Sequence, residues 1–311
     1  MSFTQEVKTE ICNNELLVCC KKAELAAIIQ MNGSLSISAR QLALEIKSQN
    51  PTIAKRTLSL LKQLFAIESE VQKIQQFKFD KKNSYLIKIK NNAKLILEEL
   101  TLWDKNGFTD HPAAILLRKD CCGRAYLAGA FLAGGSINSP RSTNYHWEIS
   151  CHEPAIAQYI VKLLARYTIK AKIIERRKKP LVYLKQSEKI GDFLRLTGAY
   201  EALMKFEDAR IQRDYVNSIY RLDNCDIANE MRAQKSAGQQ IIAINSLLTQ
   251  VETQRIDEKL NEVLQLRLEN PESSYSDLSL LYEKRYHRTL SKSGIRHRLN
   301  KIAELAKKNK N

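Results

Sequence analysis

One stretch of this chain occurs twice. Residues 19–35, CCKKAELAAIIQMNGSL, align without a gap on residues 121–137, CCGRAYLAGAFLAGGSI, at a constant offset of 102. Seven of the 17 positions are identical: Cys19/Cys121, Cys20/Cys122, Ala23/Ala125, Leu25/Leu127, Ala26/Ala128, Gly33/Gly135 and Ser34/Ser136. Average residue usage gives about one match by chance. The likeness continues one residue out of phase, with Leu44-Glu45-Ile46 against Trp147-Glu148-Ile149 and Pro51 against Pro154. Apolar periodicity then predicts a helix in each copy, over 53–65 and 156–167. Alternating segments predict strands after it, over 71–79 and 85–90 in one copy, 169–174 and 181–185 in the other. The pattern therefore predicts an α+β unit built twice within residues 1–205, the repeats covering about 15–110 and 118–204. Two copies suit a pseudo-symmetric pair better than a solenoid.

Each copy opens on a helix of small and apolar residues ending in Gly. In the second copy Ala125, Ala128, Gly129, Ala133 and Gly134 lie near helical spacing, which lets two helix backbones approach closely. Gly129 and Gly134 also spell GxxxxG, but Gly135-Ser136 follows in place of Lys then Ser or Thr, so a phosphate loop is excluded. The segment Leu127-Ala128-Gly129-Ala130-Phe131-Leu132-Ala133-Gly134-Gly135 resembles the LAGLIDADG helix of homing endonucleases, and Leu25 to Gly33 is a more degenerate copy. The resemblance implies two such helices at the interface of two α/β halves, whose sheets form a saddle over DNA. It also implies an acidic, metal-holding residue just before the final Gly of each motif. Those positions are Asn32 and Gly134 here. Phosphodiester cleavage needs carboxylates to place Mg²⁺, so the expectation is a retained scaffold without catalysis, and no catalytic residues.

Charge concentrates in two places. The chain carries 50 Lys and Arg against 34 Asp and Glu, a net +16, a balance that favours a polyanionic partner, nucleic acid ahead of membrane. Residues 118–204 hold +8, and residues 284–311 hold ten basic groups and one acid. In the mid-chain patch, Lys170 and Lys172 alternate with Ile169, Ala171 and Ile173, so a strand puts both lysines on one face. Arg176, Arg177, Lys178 and Lys179 fall at a turn before Pro180. Such a patch reads equally as phosphate contact or as a solvated hairpin tip.

Residues 206–256 read as a helical linker with few turn signals, and Asn224-Cys225-Asp226-Ile227-Ala228-Asn229 within it reads as a helix boundary or packing motif. Residues 257–311 predict a compact all-α module of three helices. The first runs through Leu260, Val263, Leu264 and Leu268, and Pro271 closes it. Ser274 or Ser276 caps the second, which contains Leu278, Leu281 and Tyr282, and Ser291 or Ser293 caps the third. Ile295, Leu299, Ile302 and Ala306 form one apolar stripe on that last helix. Ser293, His297, Asn300 and Lys301 point away from it, with Arg296 and Arg298 on the flanks. A basic, hydrogen-bonding helix after a short turn is the arrangement of a helix-turn-helix reader. Ser291, Lys292, Ser293, Arg296, His297, Arg298, Asn300 and Lys301 are thus the candidate DNA contacts there. Lys284, Arg285, Arg288 and the Lys307-Lys308 tail are expected to hold phosphates.

Three segments resemble the WhiA family of Gram-positive bacteria: Ser291-Lys292-Ser293-Gly294-Ile295-Arg296-His297-Arg298-Leu299, residues 224–229, and Arg124 to Ser136. The resemblance spans essentially the whole chain. It implies a sequence-specific, nucleoid-associated DNA-binding regulator of transcription, acting in sporulation or, in non-sporulating relatives, in cell division and chromosome segregation. It implies the C-terminal module as principal reader, and double-stranded DNA, with another regulator or RNA polymerase, as partners. A metal-dependent endonuclease and an RNA-binding or protein-interaction module are the competing classes.

No cofactor is expected. Cys19-Cys20 and Cys121-Cys122 are adjacent pairs without the two-residue spacer usual in structural zinc sites, and His146, Cys151 and His152 have no fourth ligand at good spacing, so buried thiols and no metal are expected. The polar, acidic opening MSFTQEVKTE and the odd cysteine number point to a cytoplasmic chain with reduced thiols and no membrane span.

Overall fold

A computed structural model describes residues 2–38, 41–66, 70–75, 83–90, 92–250 and 256–308. The chain divides into two compact units, Met1–Arg213 and Asp214–Asn311.

In the first unit, α1 (Phe3–Asn13) leads to the repeated motif. Helix α2 (Val18–Asn32) runs directly into strands β1 (Gly33–Ser38) and β2 (Gln41–Ser48). Helix α3 (Pro51–Phe65) follows, then β3 (Glu70–Gln75), β4 (Asn83–Ile89) and α4 (Ala93–Glu99). A small ribbon, β5 (Trp103–Asp104) and β6 (Gly107–Phe108), links to the second copy: α5 (Asp120–Gly134), β7 (Gly135–Ile137), β8 (Trp147–Ser150), α6 (Pro154–Arg166), β9 (Lys172–Arg176) and β10 (Lys179–Leu184). Helix α7 (Ser187–Leu196) and the first turns of α8 (Tyr200–Gln250) close the unit.

The duplication is complete at the level of topology. Both four-stranded sheets are antiparallel, ordered β1-β2-β4-β3 and β7-β8-β10-β9. Local chemistry sets the same boundaries in both copies. Pro51 and Pro154 stand in the first turns of α3 and α6, where the missing N–H costs nothing, and the Asn50 side chain accepts from the Thr52 N–H at 2.9 Å. Each of these helices buries one apolar stripe: Ile53, Leu60 and Leu61 in α3; Ile156, Ile160, Leu163 and Leu164 in α6. The expected strand segment over 76–79 lies outside the described residues.

Helices α2 and α5 pack along each other at the centre of the unit. A Cβ added at Gly129 presses on the Glu24 carbonyl and comes within 2.9 Å of Ala27 Cβ, so only glycine permits this approach. Polar groups in the interface are paired. Tyr126 donates its hydroxyl to Gln30, and Glu24, 1% exposed, takes the Arg56 guanidinium at 2.7 Å. Phe131, Trp147 and Phe193 fill the second half, with the Trp147 and Phe193 rings 4.6 Å apart.

Helix α8 continues into the second unit, where α9 (Glu258–Glu269), α10 (Tyr275–Tyr286) and α11 (Lys292–Lys308) follow. The module expected over 257–311 draws on more of the chain than its three helices. Ile244 and Leu247, from the end of α8, join Leu260, Val263, Leu264, Leu278, Tyr282, Ile295, Leu299, Ile302 and Ala306 in one core. Residues 224–229 form neither a helix boundary nor a packed face: they lie inside α8 with every residue exposed except half-buried Ala228.

Candidate nucleic-acid interface

The α10–turn–α11 unit is fixed at each joint. Ser274 accepts from the Asp277 N–H while Asp277 accepts from the Ser274 N–H, a reciprocal cap on α10. His287 ends α10 in the left-handed region at φ 52°. Of the two serines considered for α11, Ser291 caps it, accepting the Gly294 N–H at 3.2 Å. The expected stripe of Ile295, Leu299, Ile302 and Ala306 is buried.

On the other face, Ser291, Lys292, Ser293, Arg296, His297, Asn300 and Lys301 are all exposed. No described residue takes a hydrogen bond or ion pair from Arg296, Asn300 or Lys301. Their donors are free for a partner, and those in the first two turns sit beside the positive end of the helix.

Arg298 differs from its neighbours. Its guanidinium donates to the Lys259 carbonyl at 3.1 Å and the Tyr282 hydroxyl at 3.2 Å, lies over the Tyr282 ring, and comes within 4.0 Å of Glu262. Tyr282 in turn donates to Glu262, a carboxylate only 9% exposed. Arg298 is therefore committed to holding α11 against α9 and α10. Among the flanking cations, Lys284 is exposed, whereas Arg285 pairs with Glu269 and Arg288 lies 3.9 Å from Glu262.

The mid-chain patch is a hairpin on a sheet edge. Arg177 and Lys178 are the two turn residues between β9 and β10, with φ 54° and 61°. Positive φ at both central residues is a type I′ turn, which usually carries Asn-Gly. Arg176 and Lys179 face each other across its base. Lys170 precedes the strand, and the predicted sorting of lysines against apolar residues holds for buried Ile169 and half-buried Ala171 but stops at Ile173, which is 40% exposed. The reason is position, since β9 is an edge strand with all five residues exposed. Lys172, Ile174 and Arg176 share the sheet face that carries Leu181 and Tyr183.

Motif reading passed over two acids, Glu148 on that face and Glu45 at the matching place in the other sheet. Lys88 donates to Glu45 at 2.8 Å and holds its carboxyl below the ordinary range, while Glu148 meets His146 Nε2 at 2.8 Å and Ser136 at 3.1 Å. The Lys88 ammonium offsets the charge of Glu45. The repeat signal of the two acids was the aligned Leu44-Glu45-Ile46 and Trp147-Glu148-Ile149.

At the C-terminal ends of α2 and α5, Asn32 and Gly134, the two positions that the resemblance aligns with metal-holding residues, come together. Asn32 Nδ2 lies 3.5 Å from the Ala133 carbonyl. A Cβ at Gly134 falls 2.5 Å from the Ser150 carbonyl and 2.9 Å from the Met31 methyl, so no side chain fits there without movement. Among the described residues, the one grouping of three or more metal-capable side chains is elsewhere: Cys19, Cys20, Cys121 and Cys122, with all four sulfurs within 4.8 Å of one another. His146, Cys151 and His152 form no such group. No helix among the described residues is long and apolar enough to cross a membrane.

Comparisons with known proteins follow the same division. Residues 18–103 match the WhiA N-terminal LAGLIDADG-like domain, residues 123–216 the WhiA LAGLIDADG-like domain, and residues 219–306 the WhiA C-terminal HTH domain. The chain is 40% identical over 311 residues to "Probable cell division protein WhiA" of Macrococcus caseolyticus, covering 100% of this chain and 98% of the relative. It is also 40% identical over 309 residues to the protein of that name from Brevibacillus brevis, covering 99% and 97%. The crystal structure of full-length DUF199/WhiA from Thermatoga maritima superposes with a TM-score of 0.59 at 25% identity, covering 99% of each chain. With two degenerate LAGLIDADG-like repeats, a C-terminal helix-turn-helix module and full-length relatives at this identity, the chain belongs to the WhiA family.

Proposed function

We propose that this protein is a non-catalytic regulator that binds duplex DNA sequence-specifically through α11. The observation that carries the reading is the division of that helix. One stripe is buried in the module core, and the opposite face presents Ser293, Arg296, His297, Asn300 and Lys301 to solvent, where only Ser293 has a partner among the described residues, the Ser291 hydroxyl at 2.9 Å. Arg296, Asn300 and Lys301 supply the donors that read base edges, and Ser291, Lys292, Lys284 and the Lys307-Lys308 tail supply phosphate contacts. Lys170, Lys172, Arg176, Arg177, Lys178 and Lys179 add a second, sequence-independent phosphate contact from the hairpin. Arg298 acts as a positioning residue.

The relatives' name, cell division protein, supports a role in cell division; the proposal extends this to chromosome segregation at the nucleoid, with duplex DNA and a further regulator or RNA polymerase as partners. A metal-dependent nuclease is disfavoured by the amide at Asn32 and the closed space at Gly134. The test is fluorescence anisotropy of the full chain on genomic duplex fragments across a salt series, with Mg²⁺ present, RNA as competitor, and the DNA run on a gel afterwards. Tight, salt-dependent binding confined to particular fragments, with uncut DNA, supports the proposal. Equal competition by RNA, uniform affinity for all fragments, or cut DNA refutes it.

A further inference from the structure

The duplication brings together what spacing along the chain kept apart. Cys19 and Cys20 are the second and third residues of α2, and Cys121 and Cys122 hold the same places in α5. Both helices start at the same end of the central pair, the end opposite Asn32 and Gly134. Each adjacent pair has its sulfurs 4.0 Å apart, and all four sulfurs lie within 4.8 Å of one another. Tetrahedral zinc with bonds of about 2.3 Å to four sulfurs requires sulfur–sulfur edges of about 3.8 Å. The four thiols therefore stand within a few tenths of an ångström to about an ångström of a closed zinc–thiolate tetrahedron, two ligands from each repeat.

We propose that Cys19, Cys20, Cys121 and Cys122 bind one zinc ion that clasps the N-terminal ends of α2 and α5. Two features of the surroundings favour it. The site is closed on its inner side, since Cys20 and Cys122 are 4% and 2% exposed, as a structural rather than catalytic zinc site requires. Two helix N-termini converge on the sulfurs, and neither helix has a side-chain cap, so two helix dipoles favour negative charge there. On binding, Zn²⁺ forms four Zn–S bonds and the four thiol protons leave to solvent, with no change of oxidation state. This inference is independent of the proposed DNA reading, because the site lies at the far end of the helix pair from the vestigial metal positions.

The test uses the full chain, purified under reducing conditions without added chelator. Elemental analysis is expected to give about one zinc per chain, and Co²⁺ exchanged into the protein is expected to show thiolate-to-cobalt charge transfer with intense tetrahedral visible bands. The double variant Cys19→Ser/Cys121→Ser, chosen because these two are the half-exposed members, is expected to lose both signals. Should that variant not fold, the wild-type cobalt spectrum and a fall in thermal midpoint when a strong chelator strips the metal decide the matter. A reduced wild-type chain that takes up neither zinc nor cobalt overturns the proposal. So does a cobalt spectrum unchanged in a folded double variant, or an intact mass showing Cys19 or Cys20 joined by a disulfide to Cys121 or Cys122 in the protein as isolated.

Discussion

Arg296 and Arg298 are two residues apart on one helix, yet the structure gives them opposite work, and alanine substitution separates the two. Arg298→Ala removes a charged donor from the Lys259 carbonyl and the Tyr282 hydroxyl and takes the neighbouring positive charge from Glu262. Two hydrogen bonds from a charged group, partly shielded from water, amount to about 2 kcal/mol of stability. Arg296→Ala removes an exposed side chain without internal partners, so its effect on stability stays within about 0.5 kcal/mol. In binding the order reverses. Losing a base-reading arginine costs about 1–3 kcal/mol and relaxes preference at one base position, whereas losing a phosphate contact lowers the salt slope by about one. The assay pairs duplex anisotropy across a salt series with hydrogen exchange on α9–α11, so that binding and stability are measured on the same samples. Arg296→Ala is expected to weaken binding with exchange unchanged, and Arg298→Ala to raise exchange throughout α9–α11. The reasoning is refuted if Arg298→Ala weakens DNA binding as much as Arg296→Ala does while leaving exchange untouched.

Three further outcomes are expected. Arg177→Asn with Lys178→Gly relieves both left-handed turn residues and is expected to raise stability by about 1 kcal/mol in urea denaturation, while a shallower salt slope reports any phosphate contact from the hairpin. Gly129→Val forces a branched side chain against α2 and is expected to destabilise the first unit by about 3 kcal/mol or more, measured in the same way. Burial pulls the Lys8 pKa down from 10.5 to about 8, and its ammonium donates to the Leu132 carbonyl at 3.0 Å. Between those two pH values the unfolded chain binds more protons at this group, so its contribution to stability rises with pH. Lys8→Met is therefore expected to be the more stable form below pH 8, and roughly 3 kcal/mol of that advantage is lost by pH 10.5.

What the sequence revealed depended on whether the controlling interactions were local. The stripe Ile295, Leu299, Ile302 and Ala306 was legible because helical period alone decides which side is buried, and the caps at Ser274 and Ser291 because capping acts within one turn. The two repeats were legible because the duplicated motif kept its spacing. Helical period alone puts Arg298 among the DNA contacts, because its partners, Lys259 and Tyr282, come from two other helices. Alternation around Lys170 and Lys172 could not tell a central strand from an edge. The cysteines escaped for the same reason: neither pair satisfies a ligand spacing, and their ligand set is complete only when residues 102 apart in sequence meet. The end of α8 carried no turn signal to mark where Ile244 and Leu247 enter the second core.

The glycine at 134 also sets how far this end of the helix pair stands from holding a metal. A carboxylate there needs room that the Ser150 carbonyl and the Met31 methyl occupy. One substitution at 134 therefore cannot supply a ligand, because the new side chain would collide before it could ligate anything. Asn32 differs: its side chain already has carboxylate length, so its change to aspartate is sterically simple, yet useless alone. The closure works as a lock that a single mutation at either position leaves shut.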